Sequence, residues 1–255
     1  MIIDVNVNLS RWPFRRLPHD ETPQLIEKLR SSGITEAWAG SFDGLLHQDV
    51  AAVNTRLVSE CRTSSGLLRP VGTINLRLPD WQDDVRRCVE EHGMHAIRLH
   101  PNYHGYDLSS PDIDALFALA VDHQLIVQLA VMMEDVRTHF PLMRVPTLEV
   151  GPLETLVRRH PLARLVILNG SGTITPASAA TLATLGEVYF DISHAELIGA
   201  LDQLVRVVPY ERLLFGSHFP FFNLESAFLK FRESELGDTV TRAIQSGNAM
   251  KLKRK

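Results

Sequence analysis

Residues 1–8 read MIIDVNVN, and their alternation is the first clue to the fold. Asp4, Asn6 and Asn8 alternate with Ile3, Val5 and Val7, which is the period of a β-strand, where successive side chains point to opposite faces. The stretch therefore reads as a strand with one polar and one apolar face. A polar face on a first strand is informative, because a strand buried on both sides would otherwise be filled with apolar residues.

Working outward from this strand, apolar runs of similar length recur at 35–39, 68–74, 96–99, 125–131, 165–168, 188–192 and 213–215. Helical spacing fills the intervals. It begins at 22–29, where Thr22 suits a cap, Pro23 the first helical position and Gly33 a stop. Further helical stretches lie at 49–62, 80–92, 111–123, 152–160, 176–185, 196–207 and 224–233. Strand and helix thus alternate eight times in 255 residues, which predicts a single (β/α)8 TIM barrel over 1–255. A doubly wound nucleotide-binding sheet is the rival, but Asn8-Leu9-Ser10-Arg11-Trp12-Pro13 contains no glycine for a phosphate loop. The long connections 105–111 and 132–151 read as loops over a barrel mouth.

Composition sets limits on partners. The chain is 45% hydrophobic and 22% charged with a net charge of -4, an ordinary globular balance with no general attraction to nucleic acid or acidic membranes. The basic end, Lys251-Leu252-Lys253-Arg254-Lys255, reads as a solvated tail. Cys61 and Cys88 form no CxxC or Cys/His motif, so reduced thiols in a cytoplasmic protein are expected. No leader pattern and no apolar run near the ~20 residues of a membrane span is seen in the sequence.

In such a barrel, chemistry sits at the carboxyl ends of the strands, so inward-pointing polar residues there are the site candidates. Strand one supplies Asn6 and Asn8, and strand four supplies Arg98 and His100. Gln128 comes from strand five, Asn169 from the end of strand six, Asp191 and Ser193 from strand seven, and His218 from strand eight. The segments IDVNVN (3–8), IRLHP (97–101), VILNGSG (166–172), VYFDIS (188–193) and RLLFGSHFPF (212–221), in this order, resemble the amidohydrolase superfamily. The likeness is to its amidohydrolase-2 group, which includes aminocarboxymuconate-semialdehyde decarboxylase-like barrels.

That resemblance implies divalent metal held by a His-x-His pair on strand one, histidines ending strands five and six, and an aspartate ending strand eight. Position by position these ligands fall on Asn6 and Asn8, Gln128, Asn169 and His218. A neutral carboxamide is a poor Zn²⁺ ligand beside imidazole, so no tightly held metal is expected unless the family rule survives the replacements. The amides instead suit hydrogen bonding to a ligand.

Two functions follow. In the first, a hydrolase acts on a small polar or carboxylated substrate: His218 is acid or base, Asp191 orients it, Arg98 binds an anion, and Asn6, Asn8, His100, Gln128, Asn169 and Ser193 bind substrate. Decarboxylation is a variant of this reading. In the second, an inactive barrel binds a metabolite or partner. Bland roles stand beside these: His218 bonded to Asn6 or Asn8, Arg98 neutralising Asp191 or Asp4, and His100 supporting its neighbours. The aromatic stretches 10–16 and 219–222 read as a lid, a pocket wall or a contact in a homo-oligomer.

Overall fold

The computed structural model describes residues 1–254 and arranges parallel strands in a ring with helices outside. The strands are β1 (Ile3–Leu9), β2 (Glu36–Ser41), β3 (Leu68–Pro70, resuming at Gly72–Thr73), β4 (Ala96–Leu99), β5 (Ile126–Ala130), β6 (Arg164–Leu168), β7 (Val188–Asp191) and β8 (Leu213–Leu214). The gap in β3 follows a proline, which has no N–H to donate to a ladder. Pairing crosses the gap nonetheless: Val71 N donates to Ala39 O at 2.8 Å, and Ile74 N to Arg98 O at 3.2 Å. The ring closes where Val5 N donates to Phe215 O and Asn8 N to Phe219 O, both at 2.9 Å. The (β/α)8 architecture expected from the alternation is thus present.

Helices span the crossovers and bury one stripe each. In the first, Thr22–Ser31, the buried positions are Leu25, Ile26 and Leu29, the spacing of a single helical face. Its cap position is Glu21 rather than Thr22, whose hydroxyl donates to Glu60. The helix expected over 196–207 is Ala200–Val207, shortened because Gly199 takes a left-handed turn at φ 64°. Among the described residues no helix is long and apolar enough to cross a membrane.

Strict alternation fails in β1. The register against β2 shifts between Asp4 and Val7, so Ile3 and Val5 join Trp38, Ile126 and Leu214 in one core cluster, while Val7 and Leu9 pack in the other with the helix-facing residues. Asp4 leaves the polar row and accepts hydrogen bonds from Ser217 N and Asn6 N, both at 3.0 Å. Asn6 and Asn8 remain at the mouth.

The expectation of a loose basic tail is also corrected. Helix Asn248–Arg254 follows Asp238–Arg242 and a π-turn over 243–247, and it places Ala249 and Leu252 in the cluster with Ile3 and Trp38. Lys253 Nζ reaches Glu36 at 2.6 and 2.8 Å. Apolar burial at Ala249 and Leu252 outweighs the basic character of the segment. Leu252→Ala is expected to cost about 3 kcal/mol, as for other fully buried leucines, measured by urea unfolding. A loss under about 0.5 kcal/mol, the range of surface sites, would mean that the helix is not docked.

Candidate functional site

Asn6, Asn8, Arg98, His100, Gln128, Asn169, Asp191, Ser193 and His218 all converge on the carboxyl-end half of the ring, none more than 2% exposed. All of them but His100 fall into two hydrogen-bonded groups. On the β6–β8 side, Asn6 Nδ2 donates to Asn169 Oδ1 at 2.8 Å and to Asp191 Oδ2 at 2.7 Å. Ser193 Oγ donates to the same Asn169 oxygen at 2.8 Å, and Asn169 N donates to Asp191 Oδ1 at 2.9 Å. The network needs Gly216, since a Cβ there would lie 2.7 Å from Asp191 Oδ2 and 3.2 Å from the Asn6 Cβ.

His218 stands at the edge of this group. Its Nε2 donates to Met133 O at 2.6 Å, because a carbonyl can only accept, and this leaves Nδ1 unprotonated, 3.5 Å from Asn169 Nδ2. Asn169 and His218 both sit at φ 57°, a left-handed conformation rarely used by residues other than glycine. Burial, with smaller contributions from His194 and Arg98, pulls the His218 pKa down to about 3, so the ring is neutral near pH 7. Burial pushes Asp191 upward against the hydrogen bonds it receives. The pairing of Asp191 with His218 expected from the sequence does not form; Asp191 is occupied by Asn6 and Asn169. Nor does His218 bond to Asn6 or Asn8.

Arg98 organises the second group. Its Nε donates to Gln128 Oε1 at 2.8 Å, and its Nη1 to Asn8 Oδ1 at 2.7 Å and to Val7 O at 3.2 Å. Nη2 approaches Trp38 O at 3.4 Å, and Gln128 Nε2 in turn donates to Val5 O at 2.8 Å. Gly40 makes room, since a Cβ would come within 2.7 Å of Nη1. The guanidinium is therefore spent on the barrel wall, which corrects its expected role as an anion clamp. It forms no ion pair with Asp4 or Asp191 either; burial lowers its pKa to about 10, while those two carboxyls oppose the shift through space. His100 ends β4 with Nδ1 buried and unpartnered, and burial holds its pKa well below the usual value.

Aromatic side chains cover the mouth. Trp12 packs edge-on against Phe42 at 5.3 Å and Phe221 at 4.7 Å, in a cluster that includes Met133 and Tyr103. Arg15 Nη1 to Glu134 Oε2 at 2.5 Å joins the loop after β1 to that after β5. The stretches 10–16 and 219–222 thus pack against each other through Trp12, Phe14 and Phe221. Beside this cap, a cavity of about 920 Å³ is lined by Met132, Ile174, Phe190, Asp191, His194 and Phe222, among others. Glu134, His194 and Lys230, whose Nζ donates to Ile192 O at 2.8 Å, escaped the sequence reading because they lie outside the inward parity of the strands. The Gly170–Gly172 stretch is a tight turn, with Gly172 at φ 89°.

A family model described as Amidohydrolase matches residues 14–254. The chain belongs to the amidohydrolase family. Solved structures extend the likeness to the whole barrel. A 2,6-dihydroxybenzoate decarboxylase complexed with 2,6-dihydroxybenzoate has a TM-score of 0.78 at 12% identity, covering 100% of this chain and 99% of that one. A dihydroxybenzoic acid decarboxylase from Polaromonas, with bound manganese and the inhibitor 2-nitroresorcinol, gives 0.77 at 12%, covering 99% and 96%. The 4-oxalomesaconate hydratase of Rhodopseudomonas palustris gives 0.70 at 15%, covering 100% and 96%. At these identities the likeness is one of fold. No curated protein matches significantly.

The donor set of this amidohydrolase barrel does not fit a transition metal. Asn6, Gln128 and Asn169 are neutral amides already bonded to one another or to the protein wall, and they offer no imidazole or carboxylate cluster. Among the described residues no group of three or more His, Cys, Asp or Glu side chains is placed to hold an ion.

Proposed function

We propose that this member of the amidohydrolase family binds a small polar metabolite at the carboxyl-end face without metal-dependent turnover. The observation that carries this reading is the closed state of the candidate catalytic groups. His218 has one nitrogen tied to Met133 O and the other turned toward Asn169, and Arg98 is consumed by protein acceptors. A general base works best with a pKa near the working pH, and burial pulls that of His218 down to about 3. Room for a ligand remains beside these groups, in the cavity of about 920 Å³ that reaches Asp191 and His194.

The test combines elemental analysis with turnover. After Zn²⁺ and Mn²⁺ are offered and removed by desalting, no stoichiometric metal is expected, and no CO₂ release from 2,6-dihydroxybenzoate. Retention of about one equivalent of metal, the load of a single built site, would overturn the reading. So would a hydrolase or decarboxylase activity that His218→Asn abolishes at unchanged melting temperature.

A further inference from the structure

A second cavity, of about 570 Å³, opens at the amino-end face of the barrel, opposite the mouth. It is framed by the end of the helix Val50–Arg62, the start of β3, the turn that leads into β4, and the C-terminal helix Asn248–Arg254. In this fold the amino-end face ordinarily serves stability, yet here its charges are unbalanced. Arg62, Arg69 and Lys253 line the cavity, and no Asp or Glu among the described residues does. Glu36, at the start of β2, is shared: Lys253 Nζ reaches its oxygens at 2.6 and 2.8 Å, and Arg69 Nε lies 3.6 Å from Oε2. Arg62 takes part in no ion pair among the described residues. Three positive charges are thus set against one negative charge, an excess of two around a single cavity.

His95 supplies a second observation. Its ring lines the cavity and packs edge-on against Trp38, with 4.9 Å between centroids. Nε2 is sealed without a partner, whereas Nδ1 is not sealed and also bonds to nothing among the described residues, so Nδ1 is the nitrogen open to the cavity. Burial pulls the His95 pKa down to about 4, with Glu36 opposing and Lys253 and Arg69 adding to the shift, so near pH 7 the ring is neutral and carries one N–H. An acceptor in the cavity would draw that hydrogen to Nδ1. The lining as a whole selects the acceptor. Two guanidinium forks on different elements match phosphate oxygens, and a dianion offsets both surplus charges where a carboxylate offsets one. Val58, Leu68, Pro70 and Met94 give the remaining wall an apolar character, in a volume typical of small-molecule sites. We infer that this cavity binds a small phosphomonoester with an apolar body, its phosphate held by Arg62, Arg69, Lys253 and His95 Nδ1–H. The site lies at the other end of the barrel and does not rest on the function proposed above.

The experiment is calorimetry and thermal shift on the full-length protein at fixed ionic strength, with butyl phosphate, inorganic phosphate and pentanoate as probes. Butyl phosphate is expected to bind and to raise the melting temperature by mass action, inorganic phosphate to bind about tenfold more weakly, and pentanoate not to bind measurably. Arg62→Gln and Arg69→Gln each remove an exposed charge. Both are expected to melt close to wild type without ligand and to bind butyl phosphate about tenfold more weakly, the loss of one charge-assisted hydrogen bond. In a sample labelled with ¹⁵N-histidine, the His95 Nδ1 resonance, assigned by its absence from His95→Gln, is expected to move as butyl phosphate is added. No binding of butyl phosphate, unchanged binding by both arginine variants, or an unmoved His95 resonance at saturation would overturn the site. Equal affinity for pentanoate would overturn the phosphate, and equal affinity for inorganic phosphate would overturn the ester.

Discussion

Arg98→Ala is expected to lower the unfolding free energy by about 4 kcal/mol, the scale for removing one partner from a buried charged network. The guanidinium serves Gln128, Asn8 and the Val7 carbonyl, which come from β5 and β1, while being rooted in β4. Alanine would leave these acceptors buried and unpaired and would open a void at a site where Arg98 is 1% exposed. Arg98→Lys separates the two effects. An ammonium keeps the charge and much of the volume but lacks the planar fork that reaches three acceptors at once, so a loss of about half as much is expected. Urea unfolding at pH 7 provides the measurement. A loss below about 1 kcal/mol for the alanine variant, as for an exposed ion pair, would show that the guanidinium is not held in the wall.

The architecture was legible in the chain because parallel strands buried on both faces produce runs such as 125–131 and 165–168, separated by helical stripes. Parity also placed side chains together that lie far apart in sequence: Asn6, Arg98, Gln128, Asn169 and Asp191 do converge. Their partners were not legible. Asn6 and Asn169 are 163 positions apart, and which of several inward amides meets which carboxyl depends on the local backbone at the strand ends. At Asn169 and His218 the chain turns left-handed, which redirects side chains that a simple alternation would aim elsewhere. Asp4 was misplaced for a related reason, since a register shift in β1 cannot be seen in an unbroken alternation. Leu252 was hidden among four basic residues, and a single apolar position carries little periodic signal.

The displacement of Asp4 leads to a second large effect, which is a dependence of stability on pH. Burial drives its pKa from 3.8 to about 7, with hydrogen bonds from Ser217 and Asn6 opposing the shift and Asp191 adding to it. Because the folded-state value lies above the unfolded one, the native protein holds a proton that the unfolded chain releases. The associated stability is complete below about pH 4 and is lost as pH rises through about 7, a change of up to about 4 kcal/mol at 1.36 kcal/mol per unit. Asp191 is shifted in the same direction. His100, His104, His194 and His218 are shifted downward by burial, so their contributions grow as pH rises toward their unfolded value and mask part of the carboxyl slope in wild type. Asp4→Asn isolates it. The amide stands in for the protonated acid: one oxygen accepts from Ser217 N and Asn6 N, and Ser217 Oγ, which donates to Asp4 Oδ2 in the wild type and accepts from Phe219 N, turns its hydrogen away to accept from the amide nitrogen. The stability of Asp4→Asn relative to wild type is therefore expected to increase from pH 4 to pH 8 by roughly the 4 kcal/mol given above and then to level off. Curves that stay parallel across that range would mean that Asp4 is already ionised in the folded barrel at neutral pH.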